Sequence, residues 1–238
     1  MRFFKNFIKV LLFALTIGLS QSFTSIVLPK VFVIGDSVSI HYGPYLKNSL
    51  KGFFEYDRKR DKGEALKDLD NPVGANGGDS QMVLDYLKTL VKDKGFKTDY
   101  LLVNCGLHDI KRKSPNDSSQ VSLKNYKSNL AEIVNLSKKM RVTLVWVSST
   151  PVVDSIHNKR VPFFRFERDL IAYNKAADSI MHHAHVPIID LFTFTKKYIP
   201  GAYLDHIHYK KEIREKQADF IAGSLSAIFN CNKKTKKH

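Results

Sequence analysis

The apolar positions of the chain fall into two alternating kinds of run. Short runs dense in aliphatic and β-branched residues, at 31–34, 100–104, 142–147 and 186–191, predict buried strands. Longer stretches between them carry apolar residues at helical spacing. Met82, Val83, Tyr86, Leu87 and Leu90 follow a cap at Asp79 or Ser80 and predict a helix to residue 92. Leu130, Ile133, Val134 and Leu136 predict one over 123–140. Leu170, Ile171, Tyr173, Ala176 and Ile180 predict one over 164–182, and a last helix is expected over 213–229. Pro44 suits the first position of a helix carrying Tyr45, Leu46 and Leu50, with residues 37–43 as a turn. Phe53, Phe54 and Tyr56 predict a further strand, and Arg58, Lys59, Arg60 and Lys62 a solvated loop. Pro72, Gly74, Asn76, Gly77 and Gly78 break regular structure and make 71–78 a loop.

Strands alternating with helices imply an α/β fold with a parallel sheet covered on both faces. Right-handed crossovers put every carboxyl end of such a sheet on one rim. The polar turns at Ser37, Gly78, His108 and 205–208 then meet along that rim, where open α/β sheets bind ligands.

The first 22 residues stand apart. Arg2, Lys5 and Lys9 precede an apolar run over 10–19, and Ser20 and Ser22 are small residues in cleavage spacing. That is the layout of a secretory signal peptide, and the apolar run falls short of the roughly 20 residues a membrane span needs. The expected product is exported, periplasmic or extracellular, with no stable membrane insertion after cleavage. Residues 23–230 then form one domain, and 231–238 a disordered basic tail. A hydrophobic fraction of 43% with 26% charged residues describes an ordinary soluble globule. The formal charge of +15 favours acidic partners such as acidic polysaccharides. Nucleic acid is disfavoured, since no binding module is recognisable in an exported chain. Cys105 ends a predicted strand and Cys231 lies near the tail, so no disulfide is expected.

The chemistry gathers first at two of the turns. Val33-Ile34-Gly35-Asp36-Ser37 ends a strand on a glycine, so the serine sits at the rim, as a nucleophile or as a helix cap. Asp205 and His208 sit three residues apart before the last helix. The carboxylate could orient one ring nitrogen while the other faces Ser37, or it could merely cap a turn. His206 competes with His208 as base. His182, His183 and His185 lie at a helix end without acidic or cysteine partners nearby in sequence, which favours a solvated terminus over a metal site.

Four blocks in order carry a resemblance: Gly35-Asp36-Ser37, Gly77-Gly78-Asp79-Ser80, Gly106-Leu107-His108-Asp109 and Asp205-His206-Ile207-His208. Together they resemble the SGNH, or GDSL, hydrolase family across nearly the whole mature chain. Ser149 to Val152 and Tyr173-Asn174 resemble its carbohydrate-esterase members. The resemblance implies a flavodoxin-like three-layer α/β/α sandwich around a parallel sheet, with no metal and no cofactor. It implies Ser37 as nucleophile, His208 as base and Asp205 as its orienting acid. The oxyanion hole would comprise the Ser37 and Gly78 amides and a third-block side chain. That side chain is usually asparagine; here it is His108, which as a neutral imidazole still has one N–H to donate. Asp109 is expected to organise its loop. His208 is preferred over His206 because the family pattern places the acid three residues before the base.

The expected function is an exported serine esterase that removes small acyl groups, chiefly acetyl, from a carbohydrate. The alternatives are a lipid acylhydrolase or thioesterase with the same residues, and a non-catalytic binding protein on a hydrolase scaffold.

Overall fold

A computed structural model of the protein describes residues 27–235. The predicted leader over 1–22 lies outside the described residues, as do 236–238 of the tail. Five strands, β1 (Lys30–Ile34), β2 (Glu55–Arg58), β3 (Tyr100–Val103), β4 (Thr143–Val147) and β5 (Ile188–Ile189), form one sheet in the order β2-β1-β3-β4-β5. Every neighbouring pair is parallel. The order reverses between β1 and β3, the position at which ligands bind in doubly wound sheets. Ser37 follows β1 and His108 follows β3, so the topology alone places both at that crevice.

The central strands are buried on both faces, from Val31 to Ile34 and from Tyr100 to Val103. β2, at the edge, alternates exposed and half-buried residues, as successive side chains point to opposite faces of the sheet. The helices are α1 (Ser37–Ser49), α2 (Ser80–Lys92), α3 (Leu123–Met140), α4 (Asp154–His157), α5 (Glu167–His183), α6 (Leu191–Lys196) and α7 (Lys211–Thr235). α1 packs against α7, and α2, α3 and α5 pack in series, which gives the two helical layers of an α/β/α sandwich. Among the described residues, no helix is long and apolar enough to cross a membrane.

Several boundaries differ from expectation, each for a visible reason. The first helix starts at Ser37, not Pro44, because the Asp36 side chain caps it, and Pro44 lies inside. Burial of Val38, Tyr42 and Leu46 on that helix offsets the hydrogen bond the proline removes. α5 starts at Glu167, not at 164, because Phe164 and Arg112 exchange both backbone hydrogen bonds. Asp190 ends β5 early by capping α6. α7 runs on to Thr235, into the stretch expected to be a disordered tail. Cys105 is buried, Cys231 is exposed on α7, and no disulfide joins them.

Of the basic run expected as a solvated loop, Arg60 and Lys62 are exposed, but Arg58 ends β2 and it and Lys59 are half-buried. Arg58 sends Nη1 to the Ser39 carbonyl at 3.0 Å and Nη2 to the Ala75 carbonyl at 3.2 Å. The Lys59 ammonium donates to the carbonyls of Gly74 and Asn76. These two side chains tie the glycine loop to the start of α1.

Leu102, 1% exposed in the central strand, belongs to the main hydrophobic core. Leu102→Ala is expected to cost about 2–5 kcal/mol in denaturant titration. Leu66→Ala, at a position 67% exposed, should stay within about 0.5 kcal/mol.

Candidate active site

The β1–α1 junction prepares Ser37. Gly35 leaves no room for a side chain, since a Cβ there would stand 2.8 Å from the Ser39 side chain. Asp36 is extended, and its Oδ1 accepts from the amides of Val38 at 3.0 Å and Ser39 at 3.4 Å. Its carbonyl accepts from the Ile40 amide at 3.2 Å. Of the first four N–H groups of α1, three are therefore taken, and that of Ser37 is left without an acceptor in the helix. Burial pushes the Asp36 carboxyl up, against those same amide bonds. The serine is thus not the cap; Asp36 is.

The other end of the chain meets this serine. His208 Nε2 lies 2.8 Å from Ser37 Oγ, and His208 Nδ1 lies 2.8 Å from Asp205 Oδ2. Asp205 Oδ1 accepts from the amides of Ile207 at 2.8 Å and His208 at 2.7 Å, so the capping role weighed for it is real and coexists with the ring contact. Burial pushes the Asp205 carboxyl up, but the His208 ring and the two amides outweigh it and hold the carboxyl well below the usual range. An ionised carboxylate, a ring with its Nδ1 proton held there and a hydroxyl at Nε2 form the series that proton transfer from a serine requires. Ser37 is 5% exposed and His208 2%.

The three expected oxyanion donors differ in state. The Ser37 N–H is open. His108 is buried in the turn after β3, and burial first, then Arg165 and Lys111, hold its ring neutral down to about 3. It can therefore donate from one nitrogen only. The Gly78 amide is already engaged, donating to Asn76 Oδ1 at 3.0 Å. That N–H must be shared or released before it can serve an oxyanion. Its loop is fixed at the rim, because the Gly77 amide donates to the Gly35 carbonyl at 2.8 Å. A Cβ on Gly77 would stand 3.1 Å from that same oxygen.

The carbohydrate-esterase-like residues also meet. The Ser149 amide donates to Asn174 Oδ1 at 3.1 Å, and Asn174 Nδ2 returns a bond to the Ser149 carbonyl at 2.9 Å. They brace the end of β4 beside the site. His182, His183 and His185 are exposed, far along the chain fold from this rim.

Four features escaped the sequence reading. His41, one helical turn after Ser37, packs on His208 with ring centroids 4.8 Å apart, and burial lowers its ring to about 4. That i, i+4 spacing was visible in the sequence. His206 is not a second base: its Nε2 lies 3.0 Å from Asp70 Oδ2 and its Nδ1 3.0 Å from His157 Nδ1. It joins the 205–208 loop to Asp70 and to the end of α4. Arg165 is buried beneath the site. Nothing local in the sequence marks Asp70, His157 or Arg165. Asp205, His206 and His208 also lie close enough to hold a metal ion. Every ring nitrogen of both histidines already has a partner, so a metal would have to break the contacts just described. The clefts around Lys30, Tyr56, Phe96 and Thr98 sit at the amino ends of the strands, away from this rim.

A three-layer α/β/α domain with serine, histidine and aspartate joined on the carboxyl rim of its sheet defines the SGNH hydrolase class. The chain belongs to the GDSL-like lipase/acylhydrolase family, whose model matches residues 33–212. No curated protein matches it in sequence. Among solved structures it is similar to the acetyl xylan esterase AlAXEase, at 14% identity and a TM-score of 0.59, covering 84% of this chain and 98% of that one. The psychrotrophic esterase EstA from Pseudoalteromonas sp., inhibited by monoethylphosphonate, is 13% identical with a TM-score of 0.57 over 84% of this chain and 98% of that one. The lipase/acylhydrolase from Enterococcus faecalis is 12% identical with a TM-score of 0.52, covering 84% and 96%. At such identities the likeness is one of fold.

Asp109 joins two of the blocks. Both its carboxyl oxygens accept from the Ser80 amide, at 2.9 and 3.0 Å. Burial pushes this carboxyl up to about 7, with the Ser80 bonds opposing and Asp79 adding to it. The native state then holds a proton that the unfolded chain, titrating near 3.8, gives up. Native stability from this group therefore falls as pH rises from about 4 to 7, and levels off above. Measured against Asp109→Asn, the wild type should lose on the order of 4 kcal/mol over that range in denaturant titrations. Parallel curves would show that the carboxyl is not buried as described.

Proposed function

We propose that the protein is a serine ester hydrolase that removes small acyl groups, chiefly acetyl, from a carbohydrate, and that it works outside the cytoplasm. The observation that carries the reading is the hydrogen-bonded series Ser37–His208–Asp205 at the sheet's switch point. The leader-like residues 1–22 support export. The tie between Ser149 and Asn174 and the likeness to an acetyl xylan esterase support a sugar acetate.

In this mechanism Ser37 Oγ bonds to the ester carbonyl carbon as its proton moves to His208 Nε2. The carbonyl oxygen becomes an oxyanion facing the Ser37 N–H and His108, at the positive end of α1. The C–O bond to the sugar breaks, and the sugar oxygen takes the proton from His208. Water then adds to the acyl-serine, giving its proton to the same ring, and collapse frees the carboxylic acid and restores Ser37. Asp205 keeps the ring in the tautomer that has Nδ1–H and an open Nε2.

One observation favours the non-catalytic reading: the Gly78 amide is spent on Asn76. A serine-directed fluorophosphonate separates the two. The esterase labels at Ser37 in folded protein and a pure binder does not. A preference for long acyl chains over acetate would move the reading to a lipid acylhydrolase or thioesterase.

Turnover of phenyl acetate should fall by at least about 10³-fold in Ser37→Ala, and equal activity in the two proteins would reject the mechanism. His108→Ala should lose about 10²- to 10³-fold in kcat. His108→Asn, which keeps an N–H donor, should stay within about tenfold of the wild type by the same assay.

A further inference from the structure

Arg165 is unusual among the charged groups near the site. It is 2% exposed, yet no carboxylate lies within ion-pair distance of its guanidinium among the described residues. Its Nε donates to the Leu107 carbonyl at 2.7 Å. Its two Nη nitrogens have no hydrogen-bond partner among the described residues. Burying a charge without a partner is costly. A neutral donor would hold the Leu107 carbonyl at less cost, so the charge itself needs a reason.

A second cation stands beside it. Lys111 Nζ lies 4.0 Å from the centre of the Phe163 ring, and Arg165 Cζ lies 4.9 Å from the same centre. Lys111 makes no salt bridge among the described residues. The acidic groups in reach are already committed. Asp70 binds His206 Nε2, and Asp36 caps α1. Asp68, which also acts on Lys111, accepts from the Asp70 amide. None of the three lies within ion-pair distance of either cation among the described residues.

The pair adjoins the reactive groups. Leu107 precedes His108, and the Arg165 charge is felt at Asp36, next to Ser37. Phe163 stands edge-on to His206 with ring centroids 6.3 Å apart, and His206 stands 5.9 Å from His208. Phe163 also walls a cleft of about 770 Å³, which Lys111, Lys113, Asp117, Ser119 and Gln120 line as well.

We infer that Arg165 and Lys111, gathered on the Phe163 ring, form a subsite for a carboxylate that the substrate carries beside the ester facing Ser37. A guanidinium with two unpaired nitrogens matches the two oxygens of a carboxylate, and the ammonium adds a point charge. The substrate class is therefore an acylated sugar acid in place of a neutral sugar. The identity of the ester rests on the esterase reading above; the anion subsite does not.

The test is calorimetric binding to the full chain carrying Ser37→Ala, where no turnover intervenes. Trigalacturonate should bind at least about tenfold more tightly than neutral xylotriose at low salt, and added sodium chloride should shrink that advantage. Lys111→Gln should cut the advantage about threefold, and Arg165→Gln about tenfold. Equal binding of the two sugars, or an advantage that neither variant changes, overturns the subsite. So does tighter binding of a sulfated trisaccharide than of the carboxylated one. If Arg165→Gln does not fold, Lys111→Gln at its half-exposed site decides. Failure of the esterase reading shows elsewhere, as absent phenyl acetate turnover by the wild type, and leaves the binding result standing.

Discussion

The contact between Ser37 Oγ and His208 Nε2 joins residues 171 positions apart. No local preference makes it. Ser37 is the first residue of α1, and His208 lies just before Lys211, the first of α7. α1 and α7 pack on each other in one helical layer, both beginning at the carboxyl rim of the sheet. Their starting ends are thereby brought side by side, and the two side chains need only short loops to meet. The arrangement also gathers positive ends of helices at one point, where the first N–H of α1 is left open. Asp36 decides which N–H that is. Its side chain and carbonyl absorb the next three and leave the one on the serine itself.

The blocks that carry chemistry were legible because each is a local device. Gly35 is required by the crowding against Ser39, Asp79 caps its helix, and Asp205 reaches back to amides two and three residues on. The strands of the central sheet were legible because burial on both faces makes them apolar throughout. The second rank of the site was not. Arg58 and Lys59 looked like a solvated basic run, yet they hold carbonyls of residues 39, 74, 75 and 76, which lie near them only once β2 has paired with β1. Asp70 and Arg165 come from loops and His157 from the one-turn α4, none with a periodic pattern, and their meaning depends on which segments the rim brings together. Pro44 misled for the opposite reason. A strong local rule was overridden by an aspartate cap and a buried helix face.

The same Asp70–His206–His157 contacts show how the rim is kept in register. The loop at 205–208 is short, and its two histidines face different ways. His208 turns toward Ser37, while His206 is held from both nitrogens by residues of the glycine-rich region and of α4. Burial holds the ring of His157 neutral, near 3, with Arg165 and His206 acting in the same direction. A neutral His157 can either donate or accept a hydrogen bond in its contact with His206.

The departure at His108 can now be weighed against Arg165. An oxyanion donor must keep its N–H and must not become a fixed cation that binds substrate anions in the wrong place. Burial is the largest influence that keeps His108 neutral, and the charges of Arg165 and Lys111 come next. A carboxylate seated on Arg165 and Lys111 would cancel much of their charge but would leave the burial, since a bound sugar excludes more water. The ring therefore stays neutral with substrate bound. The Arg165 charge and the His108 donor are compatible in one site for that reason. Asparagine at position 108 would be indifferent to the guanidinium, whereas a histidine there depends on its surroundings to remain a donor of the right kind. The loop of Arg165 and the third block thus act as one unit, joined by the hydrogen bond from Arg165 Nε to the Leu107 carbonyl.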